Sequence, residues 1–62
     1  MKYSELERKL KKEDCYEDGE ISGHPAWYSP ITGKHFKMSH HKNQEVAHGT
    51  LKSISKDSGV KF

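Results

Sequence analysis

Apolar residues are sparse in this 62-residue chain, and their spacing changes along it. In the opening segment Leu6 and Leu10 stand four apart among Lys and Glu, and Tyr3 extends the same face one turn back. That is the stripe of an amphipathic helix. Ser4 and Glu7 read as a capping box, with the Ser4 side chain accepting from the Glu7 N–H and the Glu7 carboxylate reaching back to the N–H of Ser4. Lys9, Lys11 and Lys12 complement the helix dipole at the other end. The pattern predicts a helix over residues 4–12.

Past residue 14 the pattern shortens. Cys15, Tyr16 and Ile21 are the apolar points of a polar, acidic stretch. A two-residue hairpin at Asp18-Gly19 would leave very short arms, so one irregular strand with a bulge or bend near Gly19 is expected. Gly23 turns the chain into a second strand over residues 24–28, and Ser29-Pro30-Ile31-Thr32-Gly33 is a turn. Lys34-His35-Phe36-Lys37-Met38 alternates, which predicts a third strand with Phe36 and Met38 facing the core and His35 and Lys37 facing away. Trp27 is the best core candidate by volume, and alternation then puts His24, Ala26 and Tyr28 on the opposite face. Residues 39–48 are a polar connection anchored by Val46. A second helix is expected from Gly49-Thr50-Leu51, with Thr50 as N-cap, Leu51 and Ile54 on one face, and Ser58-Gly59 as its end. Val60 and Phe62 are expected to fold back onto the core. The order helix, three strands, helix predicts an α+β sandwich: a three-stranded antiparallel sheet with both helices on one face.

Size limits what such a sandwich can do. A chain this short is one domain, residues 1–62, and buries only about 60% of the surface its unfolded form exposes. Hydrophobic residues make up 31% and charged residues 32%. A single apolar layer fits that composition, and a deep metabolite pocket does not. A shallow site for a large ligand is the easier construction. The lone Cys15 cannot form an internal disulfide, and beside Tyr16 it reads as a small buried hydrophobe. No apolar run approaches a membrane span and no signal-peptide core follows Met1, so a soluble, cytoplasmic protein is expected.

Charge adds a direction. Residues 1–20 hold five Lys/Arg against seven Asp/Glu, a net of −2, while residues 21–62 hold six lysines against two acids, a net of +4, and all five histidines. A polyanion facing the second part accounts for this asymmetry, and a solvated basic surface accounts for it about as well. The histidines give no zinc pattern: His40-His41 are adjacent and tend to point apart, and no cysteine pair accompanies them. No metal and no cofactor is expected.

Acid–base chemistry is what these residues permit most easily. Imidazole takes and gives a proton near neutral pH. RNA carries its own nucleophile, the 2′-hydroxyl beside each phosphate, so cleavage needs only a base, an acid and positive charge. His24 fits base or acid. His41, with His40 and His35 as alternatives, fits the second proton-transfer group. Lys34, Lys37 and Lys42 fit phosphate contacts, the first two from the outward face of their strand. Solvation alone also explains any single one of these histidines.

Three blocks of the chain resemble the HicA toxins, the RNA-cleaving partners of bacterial HicAB toxin–antitoxin pairs. Met1-Lys2-Tyr3-Ser4-Glu5-Leu6 with Leu10 looks like the family's first helix. Gly23-His24 with Trp27 sits where the family has a Gly-Ser-His segment and an aromatic. His41 followed by Gly49-Thr50-Leu51-Lys52-Ser53-Ile54 and Ser58-Gly59-Val60 looks like its closing block. The resemblance implies a double-stranded-RNA-binding-domain-like fold, endoribonuclease activity on mRNA with His24 as the catalytic residue, and a HicB-like antitoxin that covers the active surface. The chain departs from the family in three places. Ser22-Gly23 reverses the two small residues, Pro25 follows the histidine, and Asp14-Cys15 stand where the family has Gly-Trp. A non-catalytic RNA-binding module on the same fold is the competing reading, and a protein that only pairs with a partner protein is a third.

Overall fold

The computed structural model describes residues 1–62. The order is α1 (Tyr3–Lys12), β1 (Tyr16–Ile21), β2 (His24–Ser29), β3 (Lys34–Lys37) and α2 (His48–Ser58), with the strands in an antiparallel sheet ordered β1-β2-β3. This is the α-β-β-β-α arrangement expected. Leu6 and Leu10 of α1, Trp27 and Phe36 of the sheet and Ile54 of α2 share one buried cluster with Cys15, Met38, Val46 and Val60. Both helices therefore cover the same sheet face and leave the other free.

Neither helix starts on a side-chain cap. Ser4 lies inside the first turn of α1, whose N-cap is Lys2. The free N–H groups of Tyr3 and Ser4 donate instead to the carbonyls of Gln44 and Lys42, at 3.1 and 2.9 Å. Val46 donates to the Met1 carbonyl and Lys2 bridges Glu45, so the 42–46 segment runs antiparallel to the chain start. The Met1 ammonium, 2.9 Å from Glu45, holds that carboxyl below its usual range. In α2 the extended Ala47 is the N-cap and Thr50 falls within the first turn, because Leu51 already donates to the Ala47 carbonyl. Backbone partners have replaced the expected cap of α1, and α2 starts one turn earlier than Thr50 would set it.

The C-terminal ends follow the chain's small and polar residues. After α1, Asp14 takes φ 67, Cys15 N–H reaches the Leu10 carbonyl and Asp14 N–H that of Lys11. This is a Schellman closure, with Leu10 and Cys15 both in the core. After α2, Gly59 takes φ 74, and a Cβ there would stand 2.9 Å from the Ile31 side chain. The turn between β2 and β3 presses on that helix end: Ser29 Oγ donates to the Ser58 carbonyl and Thr32 Oγ1 to that of Asp57. Both Ser29 and Ser58 are fully buried, so the bond fills a need that water cannot meet. Val60 returns to the core, whereas Phe62 stays exposed, two residues past the last buried position.

Two irregularities set the sheet's faces. Glu17 pairs with Trp27 but Glu20 with Pro25, so Asp18 and Gly19 together oppose Ala26 in a bulge, with Gly19 at φ 83. The extra residue moves Ile21 onto the face of His24, its partner. At the far edge Met38 stays in register and donates to the Pro25 carbonyl at 2.8 Å. Proline has no N–H to return the bond, so β3 ends at Lys37 and not at Met38 as the alternation suggested.

Candidate active site

Ser22 at φ 52 and Gly23 at φ 80 form a two-residue connection between Ile21 and His24. Positive φ at both central positions is the requirement of a type I′ hairpin turn, which favours glycine second. The order Ser-Gly therefore suits the turn. His24 opens β2 directly after it, exposed, on the sheet face that carries no helix. Pro25 and Trp27, of opposite parity, are buried.

On that face β2 carries the exposed His24, the buried Ala26 and the half-buried Tyr28. Ala26 pairs with Lys37, and Tyr28 pairs with His35 on one side and Tyr16 on the other. His35 Nε2 donates to Asp18 Oδ2 at 2.9 Å. Alternation alone placed His24, Tyr28, His35 and Lys37 together, and register adds the Tyr16 neighbour. The contact with Asp18 depends on the bulge and has no local sequence signal.

The other candidates separate. His40 lies opposite Gly23 in the extended register, and its Nε2 donates to the Gly23 carbonyl at 3.1 Å, one peptide from His24. The His41 N–H donates to Ser39 Oγ, and its ring makes no hydrogen bond within the chain. Lys34 pairs with Ser29, whose side chain is buried, so it has the parity of Phe36 and not of Lys37. The expectation of a common outward face fails because residues three apart in a strand have opposite parity. Lys42 sits beside α1, 3.6 Å from Glu7. Of the three lysines, Lys37 alone shares the face of His24.

No three His, Cys, Asp or Glu side chains converge as a metal site would need. An open groove follows the free edge of β3, between His35 and Lys37 on the strand and Gly49, Thr50 and Ser53 on α2. No helix is long and apolar enough to cross a membrane.

The face thus offers an exposed imidazole, one lysine and a band of aromatic rings, shallow and open along its length. No curated protein and no solved structure matches the chain. A family model described as the HicA toxin of bacterial toxin–antitoxin systems matches residues 3–60, nearly the whole sequence. The chain belongs to the HicA toxin family, toxins that act opposite a cognate antitoxin.

Proposed function

We propose that this toxin is a metal-independent endoribonuclease acting on mRNA in the cytoplasm, with His24 as its catalytic residue. The observation that carries the reading is the exposure of His24 on the helix-free sheet face, with Lys37 on the neighbouring row of the same face. A long flexible substrate can lie across such a surface without entering a pocket.

In the proposed reaction His24 removes the proton of the 2′-hydroxyl, and the oxygen attacks the adjacent phosphorus. The new 2′-O–P bond forms as the P–5′-O bond breaks, leaving a 2′,3′-cyclic phosphate. A second imidazole gives its proton to the departing 5′-oxygen. His41 is assigned this role because its ring is not held by a hydrogen bond, whereas His40 is tied to the Gly23 carbonyl and steadies the turn beneath His24. Lys37 balances the charge gathering on the phosphate. All protons and electrons are accounted for within RNA and protein. The HicB-like antitoxin is proposed to silence the toxin by covering this same face.

Incubation with single-stranded RNA in EDTA tests the scheme, comparing the wild type with His24→Ala. Cleavage by the wild type and none by the variant is expected. Equal cleavage by both overturns the role of His24, loss of wild-type cleavage in EDTA overturns the metal-free mechanism, and binding without cleavage by either identifies a non-catalytic RNA-binding module.

A further inference from the structure

The free face of the sheet carries a feature that acid–base chemistry leaves unused. Tyr16, Tyr28 and His35 come from three different strands yet stand in one register row. Their ring centroids are 5.6 Å apart from Tyr16 to Tyr28 and 5.0 Å from Tyr28 to His35, with the planes tilted by 49° and 54°. Tyr16 is 51% exposed, an unusual outlay of aromatic surface for so small a chain. His35 is held in the row by Asp18, so its ring is ordered at the surface.

Resting on the ribonuclease reading, we propose that this row is a stacking platform for an unpaired nucleobase of the RNA substrate. Stacking on aromatic rings is how proteins hold splayed, single-stranded bases, and every base has a face to offer. Position along the strand fits this use. Tyr28 lies four residues from His24 on the same face, about 13 Å at ordinary strand rise. The Ala26–Lys37 pair lies between them. A base on the platform, a phosphate at Lys37 and the scissile linkage at His24 therefore follow one line down β2.

Charge on this face also favours an anion, despite the acids of β1. Glu17 and Glu20 pair with Trp27 and Pro25, on the other parity. Asp18 alone reaches the row, where His35 satisfies it. Lys37 is left as the uncompensated charge between platform and histidine. A duplex would fail on this surface, because its bases are already stacked on each other.

The test separates binding from cleavage by using the His24→Ala chain, which keeps the RNA whole. A short single-stranded RNA is titrated by fluorescence anisotropy, then a series of the same oligomer with one nucleotide at a time made abasic. One abasic position is expected to weaken binding about tenfold or more, within the range found for a single stacked base. Adding Tyr16→Leu and Tyr28→Leu should weaken the intact oligomer similarly and make that abasic position indifferent. Tyr16→Phe and Tyr28→Phe should restore both, which a merely unfolded variant could not do. Binding that no abasic position changes, or an abasic effect that persists in the Leu variants, overturns the platform while leaving His24-dependent cleavage by the wild type intact. A wild-type chain that neither binds nor cleaves RNA overturns the ribonuclease reading and the platform with it.

Discussion

Asp14 holds φ 67 and Ser22 φ 52, the two non-glycine residues of the chain in the left-handed region. An L-residue there costs about 1–2 kcal/mol, less for Asp, whose short side chain bonds locally. Asp14 occupies the position after the helix where glycine is usual, and the family resemblance has glycine there. Asp14→Gly should therefore stabilise the fold by about 0.5–1 kcal/mol, the relief of strain outweighing glycine's greater unfolded-state entropy. Urea denaturation checks this, and a lowered midpoint would show that Asp14 makes a contact worth more than its strain. Neither conformation was legible from the residue itself. Gly59 announced its own left-handed cap, while Asp favours that region only weakly and Ser carries no such mark. Pro25 was legible as a missing N–H, but its effect on β3 needed the register that sets Met38 against it.

At the scale of elements, local patterns located every helix and strand, because period and turn residues are properties of neighbours. The helix starts were misjudged for the opposite reason. Tyr3 and Ser4 are satisfied by carbonyls about forty residues away, which no local motif encodes. The same limit applies to the candidate site. Alternation found the face of His24, but the meeting of His40 with the Gly23 carbonyl and of His35 with Asp18 each spans 17 residues. Register also divides the lysines of β3. In RNA binding by the proposed nuclease, Lys37→Gln should lower the slope of log K against log salt by about 0.7, one phosphate contact on a single strand. Lys34→Gln should leave the slope nearly unchanged. A titration from low to high salt gives both slopes, and equal reductions would mean that RNA tracks the edge of β3 and not its free face.

On the scale of the whole molecule, α1, the sheet and α2 bury one shared cluster, and His24, Lys37 and the aromatic row lie on the side they leave open. Such a division suits a toxin that must be both active and silenced: one face is spent on stability, and the other is the one proposed for substrate and antitoxin. It also leaves two unpaired strand edges. The edge at β1 bears Glu17, Asp18 and Glu20, while that at β3 bears Lys34 and Lys37. Edges of opposite charge attract, and joining β3 of one copy to β1 of the next is a head-to-tail contact, which propagates wherever its rotation does not close a ring. The bulge at Asp18-Gly19 breaks the row of hydrogen-bonding groups that such growth would require. Deleting Gly19 should therefore give a chain that polymerises at low ionic strength and disperses in salt, measurable by light scattering; a monomeric deletion variant would assign the guarding of this edge to its charges alone. Where the deletion variant polymerises, one surplus residue in β1 is a terminator of assembly in a protein whose two edges are otherwise complementary.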